Sequence, residues 1–158
     1  MTQSYLFIAG KIIIILPYFM KLIVFFRAVR RYAKEVKSSI KAKIKGMIEA
    51  GERFSVTTDE YTSTQKKRFS VVSLHPSAGR PIKIGMMRVK GSLTADKAAS
   101  KLKKKLNEYG IDEDHHIVDI TTDGENLMKA MGRQFMAVHQ LCHSHGIHLA
   151  GKIFLKKI

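Results

Sequence analysis

Asp59 and Asp123 are the residues best suited to do chemistry. Asp59 follows the β-rich run Phe54-Ser55-Val56-Thr57-Thr58, and Asp123 follows His116-Ile117-Val118-Asp119-Ile120-Thr121-Thr122 and precedes Gly124. Carboxylates at the ends of neighbouring strands can clamp two divalent ions about 3.5–4 Å apart around an in-line displacement at a phosphodiester. Such ions, Mg²⁺ or Mn²⁺, are hard and prefer oxygen ligands. The plainer alternative is that both aspartates only end strands and cap turns.

A second constellation, Cys142, His143, His145 and His148, invites a zinc reading. Structural zinc wants four ligands, commonly with paired cysteines. The chain has one cysteine. Cys142, His145 and His148 at three-residue steps can share a helix face, but no fourth ligand is evident and no zinc is expected. The alternative is a helix start with packed histidines.

The elements that must position these groups can be read from the pattern. Residues 32–49 place Val36, Ile40, Ile44 and Ile48 at four-residue spacing, an amphipathic helix with lysines around the rest of its surface. Three strand-like runs follow at 53–59, 67–74 and 82–89, joined by turn formers at 62–65 and 75–79. A helix is expected over 94–109, with Thr94 and Asp96 in its first turn, a buried stripe of Ala95, Ala98, Ala99, Leu102 and Leu106, and Gly110 as its stop. A largely buried strand at 116–122, a short helix at 125–131, a strand at 138–142 and a helix at 146–158 complete the order. A meander followed by alternating helices and strands looks like the α/β ribonuclease-H-like arrangement, a mixed sheet whose central first strand pairs with the fourth. In that arrangement Asp59 and Asp123 meet across adjacent strand ends.

With 158 residues, 45% of them hydrophobic, the chain has room for about one domain with a sizeable core. A single cysteine forbids an internal disulfide and fits a reducing compartment. The 28 Lys and Arg outnumber the 13 Asp and Glu, for a net charge of +15. The surplus lies before and within the first half of the domain. Such a balance favours polyanions, nucleic acid or an anionic membrane. Lys66, Lys67 and Arg68, together with Lys101, Lys103, Lys104 and Lys105, are the candidate phosphate contacts, with a solvated basic face as the alternative.

The N-terminal part, residues 1–31, stands apart. Residues 5–26 are almost wholly apolar apart from Lys11, Pro17 and Lys21, and reach the roughly 20 residues a bilayer span requires. The two lysines and the proline oppose that reading, although lysines off centre can snorkel. A secretory leader is not expected, since no positive region precedes the run. The membrane remains the alternative partner for this segment.

Three motifs in order carry a family resemblance: Asp59-Glu60-Tyr61-Thr62-Ser63, then Thr121-Thr122-Asp123-Gly124-Glu125-Asn126-Leu127-Met128, then Gln140-Leu141-Cys142-His143-Ser144-His145-Gly146-Ile147-His148-Leu149. Over residues 36–156 the chain resembles the hAT superfamily of cut-and-paste DNA transposases and their BED-zinc-finger-type relatives. The resemblance implies a ribonuclease-H-like catalytic domain over residues 32–158, nuclear localisation and DNA as partner. It implies Asp59 and Asp123 as the first two catalytic, metal-binding acids, with Mg²⁺ or Mn²⁺ as the cofactor of an active form. Cys142 and His145 match the family's Cys-x-x-His element, which would set His145 against substrate DNA. The family's third acid, a Glu beyond a large helical insertion, has no counterpart up to Ile158, and neither does the region used for dimerisation. The resemblance therefore implies a truncated domain, inactive alone, that cleaves or joins DNA or pairs as a homodimer only where another chain supplies the rest.

Overall fold

A computed structural model describes the backbone of residues 3–155 and the side chains of residues 22–151 except Leu149. Two compact units divide the chain, Met1–Ser39 and Ile40–Ile158. The elements are α1 (Gln3–Glu49), β1 (Phe54–Thr62), β2 (Arg68–Pro76), β3 (Ile82–Val89), α2 (Ala95–Asn107), α3 (Glu113–His116), β4 (Ile117–Thr122), α4 (Asn126–Gly132), β5 (Val138–Leu141) and α5 (His143–Leu155).

The first unit is the helical stretch of α1 up to Ser39. Leu22, Phe25, Phe26 and Tyr32 are all exposed there, and the Phe25 and Phe26 rings meet edge to face at 5.9 Å. Among the described residues no helix is long and apolar enough to cross a membrane. Most of the apolar run at 5–26 has side chains outside the described set.

The second unit is α/β, with a mixed sheet of order β3-β2-β1-β4-β5. β1 pairs antiparallel with β2 and β2 antiparallel with β3, which is the expected meander. β4 lies parallel to β1, and β5 parallel to β4. The central first strand does pair with the fourth.

Alternation along β1 explains why it is a strand with two different faces. Phe54, Val56 and Thr58 are buried, while Ser55 and Thr57 between them are half-buried. The buried set joins Val72, Leu74, Ile84 and Ile120 from the other strands. α2 closes this face with Ala98, Ala99, Leu102 and Leu106, all but Ala95 of the expected stripe being buried. α4 adds Met128 and Met131, and the end of α1 adds Ile44. Tyr109, at the end of the α2 segment, buries its ring and donates its hydroxyl to the Ile84 carbonyl at 2.7 Å. Burying a leucine or isoleucine side chain contributes about 1.5–3 kcal/mol, so this layer dominates stability.

Several boundaries differ from the sequence expectation. β1 continues to Thr62, past the expected end at 59, because the β1–β2 turn is tighter than expected. Ser63 N donates to Lys67 O and Lys66 N to Ser63 O, both at 2.8 Å, with Lys66 in the left-handed region at φ 57°. Asp59 is thus inside a strand and not at its end. Val36, placed on the buried stripe of the first helix, is exposed; Ile40 and Ile48 only pack against the core from its margin. The short α3 was not expected. It forms because the Asp112 carboxylate accepts from the N–H groups of Asp114 and His115, satisfying two free donors of a helix start. α5 begins at His143, three residues before the expected start, with Gly146 N donating to the Cys142 carbonyl at 3.1 Å.

Candidate functional site

The last paired residues of the β1–β4 ladder are Thr57 and Thr121. Asp59 lies two residues beyond Thr57, and Asp123 two residues beyond Thr121. Adjacent strands run about 4.8 Å apart, and residues two apart share a face. The register therefore brings the two aspartates level, at the carboxyl ends of neighbouring parallel strands. Open α/β sheets bind ligands at that end.

Their surroundings differ. Asp59 is exposed and makes no hydrogen bond or ion pair among the described residues. Asp123 is half-buried, and its Oδ1 accepts from Glu125 N at 3.2 Å. One oxygen of Asp123 thus already serves a turn into α4, the role the plainer reading assigned to it.

The face that carries Asp59 is polar further down. Ser55 Oγ donates to Asp119 Oδ2, and Thr121 Oγ1 donates to Asp119 Oδ1 at 3.4 Å. Thr57 Oγ1 and His75 Nε2 share a hydrogen bond of 2.9 Å. Asp119 broke the apolar run of its strand in the sequence, and the Ser55 hydroxyl across the β1–β4 ladder is its compensation.

The third motif arrives at the same end. β5 pairs Leu141 with Thr122, and Cys142 N then donates to the Thr122 carbonyl at 2.7 Å. Cys142 is therefore fixed beside the residue that precedes Asp123. His145, half-buried, stands in the first turn of α5; His143 and His148 are exposed. The topology gathers Asp59, Asp123, Cys142 and His145 at one end of the sheet. Among the described residues no three His, Cys, Asp or Glu side chains are grouped to hold a metal ion.

Scanned against models of known protein families, the chain matches none, and no curated protein matches it in sequence.

The basic residues singled out from the sequence divide into engaged and free groups. Arg68 forks onto Glu60 across the β1–β2 ladder, with Nη2 to Oε2 at 2.9 Å and a second contact from Nε to Oε1. The Glu60 carboxylate holds the guanidinium above its ordinary pKa, by hydrogen bond and charge, with a smaller contribution from Glu125. Lys67 Nζ donates to Gln65 at 2.9 Å. Lys101 Nζ reaches the Arg88 carbonyl at 3.1 Å. Lys103 pairs with Glu113 at 3.0 Å and sits 5.1 Å from the centre of the Phe135 ring. Lys105 pairs with Glu108 at 3.1 Å. Lys66 and Lys104 are exposed and have no partner among the described residues. The sequence run of lysines is thus mostly a set of local ties, three of them between different elements.

Sequence reasoning passed over one further residue near the aspartates. His139 of β5 shares a 2.9 Å hydrogen bond, through Nε2, with Oγ1 of Thr122, which is fully buried. Its ring lies flat against Gly132, where an added Cβ would stand 2.3 Å from His139 Cδ2. Burial, then the charges of Arg133 and Lys129, lower the pKa of His139 below its ordinary 6.5. The neutral ring thus ties β5 to the residue before Asp123.

Proposed function

We propose that the chain is an hAT transposase-like domain of ribonuclease-H-like fold that binds DNA and is inactive by itself. The observation that carries this reading is the level register of Asp59 and Asp123 at the ends of two parallel strands, with Cys142 and His145 at the same end. Side chains from three distant stretches converge where a phosphodiester and two hard cations could be held.

Asp59, with both oxygens available, and Asp123, with one oxygen outside its turn, would hold Mg²⁺ or Mn²⁺. The metal would supply Lewis-acid polarisation of a phosphoryl oxygen. Two carboxylates are a weak cage, so affinity on the order of 10⁻⁴–10⁻³ M is expected. Cleavage or joining would need a further acid, supplied by another chain. His145, a turn into α5, would face the DNA as a donor.

The DNA contacts would come from the free cations. Lys66 and Lys67 lie on the β1–β2 turn, at the sheet end that carries Asp59, and Lys104 is free on α2. Arg68, Lys101, Lys103 and Lys105 would add to the positive field while keeping their own partners. A nuclear location follows from the same reading.

Salt dependence of DNA binding tests it. With about three phosphate contacts, log affinity falls with log salt at a slope near −3, a loss of about 40-fold between roughly 50 and 200 mM. Lys66→Ala would reduce that slope by about one. Binding that is indifferent to salt would sink the proposal.

A further inference from the structure

The sheet ends in β3, eight residues long. Its outer row of N–H and C=O groups has no strand partner among the described residues. Natural proteins guard such an edge or use it to take up another strand. Gly85, at φ +126°, marks an irregularity between Val72 and Ser73 of the partner strand, so the regular run is residues 86–89.

Beside this run is a groove of about 240 Å³ between β3 and the second half of α2. Met86 and Met87 give it an apolar floor, Met86 being 62% exposed. Arg88, Lys101, Lys104 and Lys105 rim it, against one acid, Glu108. Arg88 and Lys104 are exposed, while Lys101 and Lys105 carry their ammonium groups on the Arg88 carbonyl and on Glu108.

We infer that this edge takes up an extended acidic peptide segment as an added strand. Three features point to a peptide. The free edge offers main-chain pairing, which a polyphosphate does not use. The two methionines offer a soft apolar contact to every second side chain of an added strand. Glu108 in the rim opposes a continuous line of phosphates but is tolerated by a strand that alternates acidic and apolar residues. The acidic side chains of that strand would meet Arg88 and Lys104. This surface is distinct from the aspartate end of the sheet and stands whether or not the chain binds DNA.

The test uses the full chain and a short fluorescein-labelled peptide alternating Glu and Val. Anisotropy should show saturable binding, and hydrogen exchange of the complex should slow the amides of residues 86–89. Arg88→Glu and Lys104→Glu, surface changes checked by circular dichroism, should each weaken binding about tenfold. Replacing every Val of the peptide with Pro keeps its charge, removes strand pairing, and should abolish binding. The inference is overturned if the Pro peptide binds equally well, if protection falls outside β3, if the charge reversals change nothing, or if no peptide binds. It is overturned too if a single-stranded oligonucleotide of equal charge displaces the peptide and protects the same residues, which would give the groove to nucleic acid.

Discussion

On one face of the sheet Phe54, Val56, Leu74 and Ile120 are sealed beneath Leu102 and Leu106 of α2. On the other, Ser55, Thr57, His75 and Asp119 make hydrogen bonds among themselves, and Asp59 stands exposed above them. The same strands build both, one residue apart. The closed face holds the fold by burial; the polar face spends little on stability and can carry chemistry. Changes on the first should therefore unfold the domain. Changes at the tip of the second should leave it folded and alter only what it binds.

The largest effect is expected from the closed face. Leu102→Ala or Phe54→Ala should cost about 3–5 kcal/mol in chemical denaturation, since both side chains are essentially fully buried. A loss below about 1 kcal/mol would mean that α2 is not seated on the sheet as described.

Gly132→Ala comes next, at about 1–3 kcal/mol, because its Cβ would run into the His139 ring. The ring can escape only by leaving Thr122. A Gly132→Ala/His139→Ala double variant should therefore lose less than the sum of the two single changes. Strict additivity would break this link between β5 and β4.

Asp119→Asn should cost about 1 kcal/mol, since it weakens the half-buried bond from Ser55. A loss as large as that of Leu102→Ala would erase the distinction between the faces.

A smaller effect is set by pH. The folded pKa of His139 is lowered, so the unfolded chain takes up a proton first as pH falls. Stability should decline as pH drops through the ordinary value of 6.5 and level off below the folded pKa. His115 has the opposite sign, its pKa being raised by the Asp112 carboxylate, but it is fully exposed and screened. His139→Gln should flatten the decline. An unchanged pH profile in that variant would assign it to another group.

Much of the fold was legible because its signals are local. The bounds of β3 at 82–89 and the Thr94 cap of α2 follow from apolar alternation and helix-start chemistry. The end of β1 was misread because Tyr61 and Thr62 are exposed and hold their strand only through pairing with Phe69 and Arg68. α3 has no periodicity to detect, and its one signal was Asp112 ahead of two acids. At the site, the level register of the aspartates was legible from element order. The partners of the cations were not. Arg68 finds Glu60 across a hairpin, Lys103 finds Glu113 past the end of its helix, and Lys101 finds a backbone carbonyl, none of which sequence spacing announces.

The central claim is that Asp59 and Asp123 form one site. Mn²⁺ titration by calorimetry on the full chain, wild type against Asp59→Asn and Asp123→Asn, tests it most directly. The account predicts weak saturable binding, lost in either variant, with folding stability within about 0.5 kcal/mol of wild type for Asp59→Asn. No binding by the folded wild type, or binding that survives both substitutions, would contradict it and leave the aspartates as turn residues.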